Sequence, residues 1–260
     1  GMAMKNILKI MLMMITIFTI AGSAVYAAEI PVSDQDQLIT SSDWTEISNL
    51  QDEMKKEEPD ATIDYDKALK VYVDCNLIKL QTADTKKLTS ALESANYVWV
   101  IPFKMEKTYG MFTVAKGLPL REEAKSVLTK AEQEEVKNHA GKWMITETAE
   151  HTVEPYYDIL LEKREALSDC TRVVLVGSQP GMRQPVALGM DDETARIWIS
   201  LGYQYPVMKK IPETQNVESG VYSFDSVAEI SDTYIEDSEV STGAGVQSRS
   251  SMKYVAGIGI

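Results

Sequence analysis

Leu69-Lys70-Val71-Tyr72-Val73-Asp74-Cys75-Asn76-Leu77 is the stretch that decides the fold. Apolar side chains fall at 69, 71, 73, 75 and 77, with Lys70, Tyr72, Asp74 and Asn76 between them. A period of two over such a run predicts a half-buried strand with one face on a core. Immediately downstream, Asp84 or Thr85 can cap a short helix whose Leu88, Ala91, Leu92 and Ala95 form an apolar stripe. Tyr97 to Phe103 is a second β-rich run. Trp99 shares parity with Tyr97 and Ile101, and Val98, Val100 and Pro102 take the other side. Both faces are apolar, so this strand is expected to be central, with Trp99 buried. Residues 104–110 turn the chain and Met111 to Ala115 returns it as a hairpin.

Upstream of that centre, Asp43 and Glu46 stand three apart as a capping pair. They open a helix with Trp44, Ile47 and Met54 on one face, ending before Pro59. Residues 28–40 are mixed and polar and read as a mobile lead-in. Downstream, Gly117-Leu118-Pro119 breaks the sheet pattern, Arg121 to Leu128 reads as helix, and Thr129 with Glu132 opens another helix to about His139, stopped by Gly141. Trp143 to Thr148 is then expected as a strand, Pro155 to Leu167 as a helix, and Arg172 to Val176 as a strand. Pro185 to Met190 and Arg196 to Leu201 form a hairpin about Asp191-Asp192. Tyr222 to Ile230 is a last strand or short helix. From Ser231 to Ser251 the chain is rich in Ser, Thr, Gly and acid and is expected to be mobile, before an apolar end at 254–258.

The fold class that follows is α+β: a mixed, antiparallel-rich sheet with helices packed on one face. The order strand–helix–strand–strand occurs twice, at 69–115 and 142–190, so two tandem units, with halves 61–117 and 142–230, are the alternative to one continuous sheet. Hairpins interrupt the strict alternation that a Rossmann fold needs. The expected organisation is a leader at 1–27, a lead-in and helix at 28–60, the α+β domain at 61–230, and a polar tail at 231–260. Leu69, Val71, Val73, Leu88, Leu92, Val98, Val100, Val114, Val127, Leu160, Val174, Leu188 and Ile197 are the expected core.

Residues 1–27 have the three parts of a secretory signal peptide. Lys5 and Lys9 make a basic start, Ile10 to Ile20 is an uncharged apolar run, and Val25 and Ala27 are small enough for cleavage after Ala27. The apolar run is shorter than the ~20 residues that span a bilayer core, so no stable membrane insertion is expected after cleavage. The expected location is secreted or envelope-associated.

The chain of 260 residues carries 39 acidic and 26 basic residues, a net charge of −13, and removal of Lys5 and Lys9 makes the remainder more acidic still. Such a surface repels nucleic-acid phosphate and anionic lipid and suits a basic partner or a cation. Two cysteines, Cys75 and Cys170, make no disulfide framework. They are read either as one bond of an oxidising compartment or as buried free thiols.

No local motif carries chemistry. His139 and His151 are the two histidines, and neither HExxH nor CxxC is present, so no metal or cofactor is expected. Asp191-Asp192-Glu193 and the acidic tail lack the spacing of a calcium loop. There is no GxSxG, no GxxxxGK and no GxGxxG after a strand; Gly177-Ser178-Gln179-Pro180-Gly181 resembles a nucleophile elbow only until Pro185 starts another strand.

The expected function is therefore a non-catalytic, exported binding module of bacterial type, whose partner is a protein or cell-envelope component. An envelope hydrolase with a site assembled from distant residues is the alternative. The expected binding residues are Gly177, Gln179 and Arg183 in one loop, with Tyr203 and Tyr205 beyond the next hairpin. Glycine and proline shape that loop, Arg183 offers a planar two-point contact to a carboxylate or phosphate, and the tyrosines offer amphipathic surface.

Overall fold

The computed structural model describes residues 29–151, 154–177, 179, 184–202, 209–212 and 216–237. The expected leader, Arg183, Tyr203, Tyr205 and the residues after 237 lie outside the described residues. In chain order the elements are α1 (Trp44–Ile47), α2 (Gln51–Glu57), β1 (Thr62–Ile63), β2 (Leu69–Tyr72), α3 (Thr85–Glu93), β3 (Tyr97–Lys104), β4 (Tyr109–Lys116), α4 (Glu122–Lys125), α5 (Lys130–His139), β5 (Trp143–His151), α6 (Tyr156–Glu162), β6 (Arg172–Val176), β7 (Val186–Met190), β8 (Ala195–Ser200), β9 (Asn216–Glu218), β10 (Val221–Ser223) and α7 (Phe224–Asp237).

The strands form one ten-stranded sheet in the order β5-β4-β3-β2-β6-β7-β8-β10-β9, with β1 added on β3. β2 and β6 pair in parallel, Val71 opposite Leu175, and every other pairing is antiparallel. The fold is thus α+β with a mixed, mostly antiparallel sheet. The strand–helix–strand–strand order recurs along the chain but not in space, since β5 pairs with β4 rather than with β6. From the parallel centre the chain walks outward in both directions, β2 to β5 on one side and β6 to β8 on the other, where β10 then inserts between β8 and β9.

Helices cover both faces, where the sequence had put them on one. Leu69, Val71, Val98, Val100, Val173 and Leu175 pack beneath Tyr156 and Leu160 of α6. On the opposite face, Tyr72, Val174, Leu188 and Trp198 pack beneath Leu88 and Leu92 of α3 and Phe224 and Val227 of α7. That layer continues as Trp99, Ile101, Phe103 and Phe112 beneath Ile47 and Met54 of α1 and α2. The continuous apolar run Val173-Val174-Leu175-Val176 requires two covers, because successive side chains point to opposite faces. β2 is accordingly not half-exposed: Tyr72 is buried on the side expected to be polar.

β2 is also shorter than its period-two pattern. It ends at Tyr72, and Asp74 adopts a left-handed φ of 59° that turns the chain off the sheet. Val73, Cys75 and Leu77 stay buried, but from a loop. Other departures have similar local causes. The helix expected over 121–128 closes at Lys125, so the phase slips and Leu128 is buried while Val127 is 60% exposed. Ile197 is only partly buried. Ser231 to Asp237 continue α7 instead of beginning a mobile tail. Thr129 and Glu132 do form a reciprocal capping box, and Gly141 takes a positive φ of 74° just beyond α5.

α4 and α5 make a separate helical excursion with a small core of Ala124, Leu128 and Val136. Its neck is closed at Gly117, whose N–H donates to the Lys142 carbonyl at 2.9 Å and whose carbonyl accepts from Gly141 at 2.8 Å. A Cβ at Gly117 would lie 2.0 Å from the His139 carbonyl oxygen, so only glycine lets the two ends approach.

The segment expected to be a mobile lead-in lies against the sheet. Val173 donates to the Pro31 carbonyl at 2.8 Å, Leu38 donates to the Ala68 carbonyl at 3.1 Å, and Leu38 is fully buried. Asp36, 2% exposed, locks it there. Its carboxylate accepts from Ser33 Oγ at 2.6 Å, the Tyr72 hydroxyl at 2.8 Å, and Arg172 Nε and Nη2 at 3.1 and 2.9 Å. Asp43 does the same further on. It does not cap the helix with its side chain; Oδ2 accepts from the Tyr97 hydroxyl at 2.7 Å and the Trp99 indole N–H at 3.0 Å. Two largely buried donors need that carboxylate more than a solvated helix end does.

Candidate functional site

β2 and β6 run side by side and the chain leaves them in opposite directions, β2 towards β3 and β6 towards β7. Where the chain departs from their carboxyl ends, the described residues of the two segments are tied to each other. Gly177 opens the second loop and donates to the Tyr72 carbonyl at 2.8 Å.

Gln179 joins the loops. It is 0% exposed. Its Oε1 accepts from Leu77 N–H at 3.2 Å, and its Nε2 donates to the carbonyls of Cys75 at 2.6 Å and Gly177 at 3.0 Å. These bonds replace the ladder that β2 abandons at Asp74, which is why Cys75 and Leu77 can be buried without being strand. Of the expected binding residues, Gln179 is thus turned inward onto backbone and offers nothing directly to a partner, because all of its polar capacity here is directed at main-chain groups that would otherwise be unsatisfied. Gln184, at the far end of the same loop, packs on Gly202: a Cβ there would lie 2.1 Å from Gln184 Oε1. Gln184 and Gly202 are therefore neighbours. Arg183, Tyr203 and Tyr205 themselves lie outside the described residues.

From the staple, residues 77–83 cross the sheet face to its other end, where Ala195 donates to the Ala83 carbonyl at 2.7 Å and Thr85 to the Glu193 carbonyl at 3.0 Å. Gln81 on the way has a left-handed φ of 50°, uncommon for a residue with a side chain. Between this strip and α7 is an open hollow of about 480 Å³. Leu77, Ile78, Ala83, Phe224 and Ala228 make its apolar lining, and Gln81, Thr82, Asp225 and Glu229 its polar rim. Leu80, beside it, is 40% exposed. Leu77 belongs both to the staple and to the hollow. A smaller hollow of about 310 Å³ opens beside α6, bordered by Glu154, Ile159, Lys163, Ser200, Gly202 and Gly220.

None of the sequence motifs signalled the larger hollow. Leu77 and Ile78 come from the end of a supposed strand, and Asp225 and Glu229 from a helix more than a hundred residues away. The local signal that did exist was the spacing of Asp225 and Glu229, i and i+4, which places both on one helical face.

A charged aromatic cluster was also missed. Lys70 Nζ stands 4.3 Å from the Tyr97 ring centroid, 5.3 Å from Trp99 and 5.6 Å from Tyr72. Burial lowers the Lys70 ammonium's pKa, against the pull of Asp36 and Asp43. Burial and then the Asp36 charge push the Tyr72 hydroxyl up; burial and the Asp43 hydrogen bond do the same for Tyr97. Each carboxylate is already held by ring donors, so Lys70 acts as a shared counter-charge beneath the docked N-terminal segment.

Cys75 and Cys170 are free and buried in the cores of opposite sheet faces, so the disulfide alternative is not realised. Burial pushes the Cys75 thiol up and the Cys170 thiol up to about 11, the reverse of what a nucleophile needs. His139 ends α5, with Nδ1 2.8 Å from the Glu135 carbonyl, in the excursion rather than beside either thiol. Among the described residues no three metal-ligating side chains converge, and no helix is long and apolar enough to cross a membrane. Compared with known protein families, curated proteins and solved structures, the chain matches none.

Proposed function

We propose that the chain is an exported, non-catalytic module that binds a protein or cell-envelope component along the strip from the Gln179 staple to the hollow beside α7. The observation that carries this reading is a hollow of about 480 Å³ with an apolar lining and a polar rim, one wall of which is a loop pinned at both ends. A pinned wall loses little entropy on binding, and an apolar lining with a few polar groups is what a recognition surface requires. Asp225 and Glu229 on the rim, in a chain of net charge −13, favour a partner segment that carries a basic side chain beside an apolar one. Arg183, Tyr203 and Tyr205 remain part of the same proposal as contact residues.

The test is capture from a cell-envelope extract by the wild-type chain and by Ala228→Arg, which fills the hollow and offsets one of its two rim carboxylates, beside a generic ester and peptide hydrolysis screen. A component held by the wild type and lost by an equally folded Ala228→Arg supports the reading. Capture indifferent to Ala228, or hydrolysis that co-purifies with the chain, overturns it in favour of another surface or of the hydrolase.

A further inference from the structure

The sheet ends on one side at β5, nine residues long from Trp143 to His151, and among the described residues no strand lies beyond it. A long edge strand presents a row of backbone donors and acceptors to any second strand, and proteins blunt such edges with Lys, Pro, bulges or inward charges. β5 contains neither Lys nor Pro. It has a register shift opposite Thr113/Val114, and it has Glu147.

Glu147 is paired with Thr113, which is fully buried, and its Oε2 is buried with no hydrogen-bond partner. On that face the neighbouring strands β4 and β3 present Met111, Thr113, Ala115, Val98 and Val100, none of which titrates. The carboxyl is pushed up to about 7, and burial is the whole cause, with no charged group contributing. The ionised form is therefore poorly solvated where it stands, and the neutral form lacks a partner.

We infer that the outer edge of β5 is a self-association surface for a second copy of this chain, and that Glu147 gates it, closed when ionised and open when protonated. The partnerless oxygen selects the occupant. Antiparallel pairing of β5 with its own copy, about a twofold at Glu147, is self-complementary and sets the two carboxyls opposite each other on one face. Ionised, they repel. Protonated, each O–H donates to the other copy's carboxyl, the contact that Oε2 lacks. A foreign basic strand would be favoured by the ionised form and would show the opposite pH dependence. This inference does not rest on the proposed binding function, since β5 lies at the far side of the sheet from α7.

The test is sedimentation velocity on the chain from residue 28 onward, at about 0.15 M salt, from above pH 8 to below pH 6 in steps that bracket the expected midpoint near 7. The wild type should pass from monomer to dimer as pH falls, with slowed amide exchange along β5 in the dimer. Glu147→Gln should dimerise throughout. Glu150→Gln removes an exposed charge from the same strand, and His151→Gln removes its histidine; both should follow the wild type. A monomer at every pH, a Glu147→Gln profile that tracks the wild type, or a midpoint that moves with His151→Gln overturns the gate. Dimers whose slowed amides lie elsewhere overturn the edge.

Discussion

Replacing Asp36 by alanine tests whether the N-terminal segment is part of the folded unit. The carboxylate is 2% exposed and receives hydrogen bonds from Ser33, Tyr72 and twice from Arg172, whose side chain is 15% exposed. Removing it leaves a largely buried guanidinium without its counter-charge, together with a buried phenol that loses its acceptor. Breaking a buried pair from one side costs about 3–5 kcal/mol, a large share of the roughly 5–15 kcal/mol by which a domain is stable. Replacing both partners, Asp36→Leu with Arg172→Met, removes the stranded charge and should recover most of that loss. Urea unfolding followed by tryptophan fluorescence reads both, since Trp99 and Trp143 lie in the layer beneath the segment. A loss under about 1 kcal/mol for Asp36→Ala, near the net worth of a single ordinary hydrogen bond, would refute the latch. So would a double variant no more stable than the single one.

Gln179→Ala should cost about 2–3 kcal/mol by leaving buried main-chain groups of Cys75, Leu77 and Gly177 unsatisfied, and amide exchange should speed up at residues 73–77 before anywhere else. Gly117→Ala forces a Cβ to within 2.0 Å of the His139 carbonyl, so about 1–3 kcal/mol should be lost, seen as exchange of α4 and α5 amides while β2 and β6 stay protected. Glu147 is raised from its ordinary 4.5 to about 7, so its contribution to stability is complete below pH 4.5 and is lost as pH rises through 7. Allowing for its partial exposure, Glu147→Gln at dilution that keeps the chain monomeric should gain about 1 kcal/mol at pH 8 and almost nothing at pH 4.5, checked by thermal melts at both. Equal gains at the two pH values would contradict the burial of that carboxyl.

The sequence exposed the sheet well where patterning is local. Tyr97–Phe103 reads as a central strand because both of its faces are apolar, and Thr129/Glu132 reads as a cap because the box is closed within four residues. Patterning misled where a distant group took over a local role. Asp43 looks like a cap, yet Tyr97 and Trp99 claim its carboxylate from across the chain. Residues 73–77 look like strand, yet Gln179 bonds the main chain of Cys75 and Leu77 from a hundred residues on. The lead-in at 28–40 reads as mobile because nothing local tells that Asp36 will meet Arg172. The candidate site follows the same rule. The hollow needs α7 laid against residues 77–83, which no spacing within either segment records.

Site-specific photocrosslinking tests the binding proposal most directly. A photoreactive side chain placed at Gln81, on the rim of the hollow, is compared with one at Val127, exposed on the helical excursion. Both are expressed from the full sequence in a secreting host and irradiated in place. A module that binds through the strip beside α7 gives one discrete, exported crosslinked species from Gln81 and none from Val127, and Ala228→Arg abolishes it. A crosslink from Val127 alone, equal products from both positions, or a product unchanged by Ala228→Arg would contradict binding at this site.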